Sequence, residues 1–241
     1  MAGALALTPS VASAAGASRA AATTKPLALV YRGPASLPGC PEAVAQLLRD
    51  SPTGFRTEYV GPNEKKKITK ANLAGAVVYA QPGGPSLSKG WAAMSPHATV
   101  IREWVAGGGN YLGFCLGGYL AGATPGFNLL PGDTWQYITA SNATVKTTAA
   151  TRIDVRWRGS ARTVFFQDGP AFWLEPGANA EIVATYQGGQ PAAVVAPYGS
   201  GRVGVVGPHP EADSTWFSRV DPANAIHPEL GYDLIESTIR R

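Results

Sequence analysis

Between Gly107 and Ala123 the sequence leaves the backbone little freedom. Gly107-Gly108-Gly109 stops a helix, Asn110–Phe114 is a short apolar run, and Cys115 follows with no loop between them. Leu116–Ala123 then reads as a helix. A strand that turns into a helix on a single non-glycine residue needs a sharp, strained backbone and small neighbours. Gly113, Gly117 and Gly118 supply the small neighbours. Such a turn exposes its central side chain at the C-terminal edge of a parallel sheet, where α/β folds place their sites.

The remainder of residues 25–241 fits that architecture. Leu27–Tyr31 is a buried strand stopped by Arg32-Gly33-Pro34, and Pro41 opens a helix through Leu48. Phe55–Val60 alternates as a second strand. Ala74–Ala80 reads as a third, ended by Gln81-Pro82-Gly83-Gly84-Pro85, and a helix is expected over Ala98–Ala106. Strands alternating with helices on short connections predict a mostly parallel sheet flanked by helices. The second half is richer in β signals, at Ile153–Trp157, Thr163–Phe166, Glu181–Tyr186, Ala192–Ala196 and Val203–Val206. These predict an added antiparallel layer or extension, and Pro228–Arg240 a closing helix. No linker or internal repeat divides the domain.

Residues 1–24 are set apart by their composition. They are dominated by Ala, Ser, Thr and Gly, carry Arg19 as their one charged side chain, and contain Ala12-Ser13-Ala14 in the small-x-small pattern of a signal-peptidase site. They read as the back half of a secretory signal, without its basic start, or as a low-complexity tail. An exported protein, secreted or in the cell envelope, is the expectation. The alternative is a cytoplasmic one if the segment is not a signal.

The formal charge is +4 and the basic residues are scattered, with one short run at Lys65-Lys66-Lys67. That run reads as a solvated loop, so no nucleic-acid partner is expected. No apolar stretch reaches the ~20 residues that a membrane span needs. Two cysteines, Cys40 and Cys115, and three histidines have no metal-ligand spacing, so chemistry without a metal or cofactor is expected. Nothing in the chain specifies an oligomeric state.

Cys115 is the candidate nucleophile. The start of a helix favours its thiolate, and the Leu116 N–H should point to where an oxyanion forms. The strand Arg202–Val206 runs into Gly207-Pro208-His209-Pro210-Glu211. His209 at a strand end can reach the same edge as Cys115. Glu211, two residues on in an extended segment, can accept the other ring N–H and fix the tautomer. Gly83 and Gly84, also after a buried strand, can bring a second backbone donor to the oxyanion. The tripeptide recurs as His227-Pro228-Glu229, but no apolar strand precedes it and it reads as a helix start. Cys40 heads a helix in the loop after the first strand. This placement suggests a second thiolate near the site, able to bridge to Cys115 under oxidising conditions, or else a bystander thiol.

Together these segments resemble a known family. Gly113-Phe114-Cys115-Leu116-Gly117 and His209-Pro210-Glu211 are similar to the class I glutamine amidotransferase-like superfamily, a flavodoxin-like fold with a Cys-His-Glu triad. Five segments more closely resemble the biotin-protein ligase N-terminal domain family: Tyr31-Arg32-Gly33-Pro34, Gln81-Pro82-Gly83-Gly84, Gly108–Tyr119, Phe165–Pro170 and Gly207–Glu211. The resemblance runs from about residue 27 to 212. It implies Cys115, His209 and Glu211 as catalytic, with oxyanion donors at Leu116, Gly83 and Gly84. Substrate-pocket candidates are Tyr31, Arg32, Gly33, Cys40, Tyr119, Asp168 and Gly169. Class I glutamine amidotransferases usually carry Gln four residues after the nucleophile. Tyr119 stands there, so a glutaminase of the usual kind is not expected. The chain also has no room for a biotin ligase catalytic domain and no Gly/Arg-rich biotinyl-AMP loop, and it reads as a stand-alone version of the domain.

The reading that follows is a cysteine hydrolase or amidotransferase-like enzyme acting on a small amide or peptide. The alternative is a non-catalytic binding or regulatory domain on the same fold. Specificity is expected from the Arg32–Cys40 loop, the Gly126–Tyr137 segment with Trp135, and the Asp168–Trp173 block.

Overall fold

A computed structural model describes residues 24–218 and 220–240, together with Met1 and Gly3. The signal-peptide reading therefore falls almost wholly outside the described residues. Eleven strands and six α-helices follow one another among those residues. The first half runs β1 (Leu27–Tyr31), α1 (Cys40–Asp50), β2 (Arg56–Val60), α2 (Lys70–Ala74), β3 (Val78–Gln81), α3 (Leu87–Met94), α4 (Ala98–Ala106), β4 (Asn110–Phe114) and α5 (Leu116–Leu120). The second runs β5 (Gly132–Gln136), β6 (Thr151–Trp157), β7 (Ser160–Phe166), β8 (Pro170–Leu174), β9 (Glu181–Tyr186), β10 (Pro191–Tyr198), β11 (Gly201–Val206) and α6 (Pro228–Ile239).

Nine strands form one mixed sheet in the order β2-β1-β3-β4-β11-β10-β9-β6-β7. From β2 to β11 the neighbours are parallel, and beyond β11 they are antiparallel. The β-rich second half is thus an extension of the same sheet. Of the parallel strands, β1, β3 and β4 are buried on both faces and read as apolar runs, whereas the edge strand β2 is half-exposed and alternates. Period-two alternation still sorts their side chains. Ala28, Val30, Val78, Ala80, Leu112 and Phe114 pack with Val44 and Leu48 of α1 and with Leu230 and Leu234 of α6. Leu29, Tyr31, Tyr79, Tyr111 and Val205 face the other way, against Leu73, Ile101, Val105 and Leu116 of α2, α4 and α5.

Several boundaries differ from the sequence reading. The third strand starts at Val78, because Thr69 accepts a hydrogen bond from the Asn72 N–H and caps the short helix α2. The helix after Cys115 ends at Leu120 rather than Ala123. Helix α3 and the two-stranded antiparallel sheet of β5 and β8 were not foreseen. His227 lies just before α6, which starts at Pro228, and its ring contacts Glu229 at 2.8 Å on the surface. The second His-Pro-Glu tripeptide is therefore a helix start, as its flanks suggested.

Arg158, at the turn between β6 and β7, ties the antiparallel extension to α6. Its guanidinium reaches Asp233 at 2.7 Å and Ser237 Oγ at 2.8 Å, and Trp157 Nε1 donates to the same Asp233 oxygen at 2.8 Å. Asp233→Ala leaves both donors unpartnered and should cost about 1–3 kcal/mol in urea denaturation. A change below a few tenths of a kcal/mol would show that this clamp is solvent-compensated.

Candidate active site

Because β1, β3, β4 and β11 run parallel, the loops that follow them emerge along one edge of the sheet. The Cys115 turn follows β4 and the His209–Glu211 segment follows β11, whose last residue Val206 pairs with Phe114. The Gly83-Gly84 loop follows β3, next in the sheet. A further contact completes the edge. Phe165 of β7 forms an isolated bridge with His209, and the His209 N–H donates to the Phe165 carbonyl at 2.9 Å. The last strand of the sheet thereby folds back to the end of β11 and delivers Gln167 and Asp168 to the same place.

Cys115 takes φ 49° and ψ −103°, a left-handed conformation unusual for a residue with a side chain. Holding it there costs on the order of 1–3 kcal/mol, which the surrounding packing must offset. Close approach explains the flanking glycines. A Cβ on Gly117 would overlap the Gln81 carbonyl oxygen, and one on Gly113 would overlap that of Gly117. Cys115 Sγ lies 3.6 Å from the Gln167 carbonyl oxygen, within weak S–H reach. As the first residue of α5, Leu116 has no acceptor within the helix for its N–H, which stays available to a ligand.

His209 and Glu211 form a buried pair. Nδ1 stands 2.7 Å from Glu211 Oε1, with side-chain exposures of 4% and 0%. The ring is held by aromatic contacts, to Phe165 at 5.7 Å between centroids and to Trp216 at 5.1 Å. Burial alone would disfavour a charged ring. The negative charges of Glu211 and Cys115 outweigh it, and the imidazole is pushed up to about 10. Glu211 Oε2 is buried without a hydrogen-bond partner, so the carboxylate directs its charge at His209 with little local competition.

Gly83 lies where these groups meet. A Cβ there would come to 3.0 Å from His209 Cε1, 3.5 Å from Cys40 Sγ and 3.7 Å from Cys115 Cβ. The tight contact is the one to His209, which would have to give way to a side chain at Gly83. Cys40 is therefore beside the site, as its position in the loop suggested, but the expected thiolate is corrected. Burial, joined by the charges of Glu211 and Cys115, pushes the Cys40 thiol up to about 12 and overrides the helix start. Both cysteines are free thiols.

Cys115 and His209 open on a cavity of about 530 Å³, the size of a small-molecule site. Tyr119, Trp135 and Asp168 line it, as does Gly84. Four pocket candidates lie elsewhere. Tyr31 is buried in the sheet, with its hydroxyl accepting from the Ala35 N–H at 3.4 Å. Arg32 is held by Glu64 at 2.7 Å and by Glu42 at 3.1 Å, and with Gly33 it lines a separate groove that shares only Leu37 with the cavity. Gly169 packs against the Gly207 backbone behind the wall. Gln136 falls within the Gly126–Tyr137 segment expected to set specificity, whereas Gln167 and Trp216 were not singled out. Trp216 alone had a legible signal, as an aromatic pair with Phe217 soon after Glu211.

The raised imidazole has a consequence for stability. A folded-state pKa of about 10 against an ordinary value of 6.5 means that the ring contributes stability in full below about pH 6.5 and loses it as pH rises through about 10. The stability advantage of the wild type over His209→Gln should therefore shrink between those limits in urea titrations. An advantage that stays constant across that range would contradict an ionised His209.

Residues 28–134 match the family described as biotin-protein ligase, N terminal, a span that includes Gly83, Gly84 and Cys115 and stops before His209. No curated protein matches the chain in sequence. Solved structures align along most of its length. A glutamine amidotransferase from Thermotoga maritima superposes with a TM-score of 0.61 at 16% identity, covering 90% of this chain and 99% of that one. A glutamine amido transferase from Methylobacillus flagellatus gives 0.55 at 16% identity, covering 91% and 97%. A cytoplasmic protein from Salmonella typhimurium gives 0.53 at 12% identity, covering 90% and 100%. At these identities the likeness to solved structures is one of fold. Over residues 28–134 the chain is thus similar to the biotin-protein ligase N-terminal family, and its fold is like that of glutamine amidotransferases.

Proposed function

We propose that this protein is a cysteine-nucleophile hydrolase or amidotransferase-like enzyme acting on a small amide or peptide. The observation that carries the reading is the buried His209–Glu211 pair, at 2.7 Å, beside a cysteine in strained backbone geometry that opens on a cavity. A fold needs none of these three features for stability, and two of them cost free energy. Their convergence is the arrangement that nucleophilic catalysis requires.

In the proposed reaction Cys115 Sγ attacks the amide carbon, and the carbonyl π electrons move to oxygen. The N–H of Leu116, with a donor from Gly84 or Gly83, stabilises that oxyanion. The C–N bond then breaks, the leaving amine takes a proton from His209, and an acyl thioester remains on Cys115. Water or a second amine gives its proton back to His209 as it attacks the thioester, which releases the acyl group and restores the thiolate. Glu211 keeps the imidazole oriented and its charge balanced throughout.

4-Nitrophenyl acetate tests the reading without knowledge of the natural substrate. Intact-mass and peptide mapping should find one acetyl group, on Cys115, with Cys40 unlabelled. Acetylation should fall by about 10²-fold or more in His209→Ala and be absent in Cys115→Ala. A Cys115 that reacts no faster than the thiol of the urea-unfolded chain would instead favour a binding domain that has retired its nucleophile.

A further inference from the structure

The wall of the cavity opposite the glycine loop is built around one acid. Asp168 takes φ 53°, the left-handed region in which Asp is tolerated better than most residues. The turn is fixed from two directions. Tyr119 donates its hydroxyl to the Asp168 carbonyl oxygen at 3.1 Å, and Gln136 of β5 donates Nε2 to the carboxylate oxygen Oδ1 at 2.8 Å. Gln136 engages only that oxygen, and among the described residues Oδ2 has no donor. The residue at the position where the resemblance would place a glutamine, Tyr119, thus serves to hold an aspartate in the cavity.

The rest of the lining makes that carboxylate selective. Among the described residues no lysine or arginine lines the cavity, and Asp168 is its one carboxylate. Leu87, Leu116, Trp135 and Trp216 supply apolar surface. The one cationic group of the lining, His209, is already paired with Glu211, so a substrate carboxylate would find no unpaired counter-charge here and would meet Asp168. A substrate ammonium would pair with Oδ2, and the indole faces can accept a cation or its alkyl stem.

We infer that Asp168 is a specificity residue and that the cavity takes amides bearing an ammonium or other cationic N–H group, discriminating against anionic ones. The inference rests on the cavity being the substrate site of the proposed reaction. Its test does not depend on turnover.

Cys115→Ala keeps the cavity and removes the nucleophile, so binding can be measured alone. Calorimetric titrations with 4-aminobutanamide, butanamide and succinamate compare a cation, a neutral amide and an anion of similar length. The expected order is 4-aminobutanamide tightest, by about 10-fold over butanamide, with succinamate weakest. Asp168→Asn in the same background should bring 4-aminobutanamide and butanamide to within about 2-fold of each other. Asn suits the same left-handed backbone, so the turn is retained. Equal binding of the three ligands by Cys115→Ala alone, or an ammonium preference that survives Asp168→Asn, would overturn the inference. An unreactive Cys115 in the wild type would count against the catalytic reading and leave this binding order to stand or fall by itself.

Discussion

The backbone at Cys115 is the constraint on which the rest of this edge depends. A residue with a side chain held at φ 49° survives only where its neighbours leave no other path for the chain. Here β4 is pinned on both sides, by β3 and β11, up to its last residue. The Cys115 N–H donates to the Val206 carbonyl at 2.9 Å, so the turn begins while the chain is still bonded to the strand that leads to His209. Cys115 and His209 are therefore placed by one pair of parallel strands. The relative position of Cys115 and His209 is a property of the sheet more than of any loop.

From that placement the electrostatics follow. Glu211 and the Cys115 sulfur flank one imidazole in a site shielded from water. Their combined field prevails over the penalty of burying the charge. The same field acts on Cys40 in the opposite sense. A thiol has no positive form for the field to stabilise, so Cys40 is held neutral by its burial first and then by the same groups that keep His209 ionised. The surface pair His227 and Glu229 has nearly the same separation, 2.8 Å, but it lies in solvent with neither a cysteine nor a strand end beside it. Geometry within a tripeptide is thus insufficient, and burial at the sheet edge makes the difference.

Much of this was legible in the sequence. Strands buried on both faces announce themselves as apolar runs, and β1 and β4 were read to their observed ends for that reason, while the glycine run after Ala106 marked the end of α4. The Cys115 turn and the His209–Glu211 segment were legible because strained turns and extended triads restrict residue types. What escaped had weaker local signals. Helix α3 contains Gly90, a poor helix former, which is required because Leu116 fills the space where its side chain would be. Strand β5 is half-exposed along its whole length and has neither an apolar run nor a clean alternation. Arg32 looked like a pocket residue from its place after β1, yet a long side chain chooses among partners that sequence spacing does not reveal. Its choice was Glu64, distant in the chain, with the Tyr59 ring 3.8 Å beneath the guanidinium. Gln136 and Asp168 come from the two-stranded sheet and from the turn after β7. Their meeting depends on the Phe165–His209 bridge, a tertiary contact with no local signature.

His209 as an imidazolium held by Glu211, with the Cys115 sulfur beside it, is the feature on which the chemistry of the site turns. Nitrogen-15 chemical shifts of the His209 ring measure this directly. A doubly protonated ring is expected at pH 7, titrating near pH 10 in the wild type and at lower pH in Cys115→Ala, where the contribution of the sulfur to the raised value is gone. A ring that is neutral at pH 7, or one whose titration is unmoved by loss of the cysteine sulfur, would contradict it.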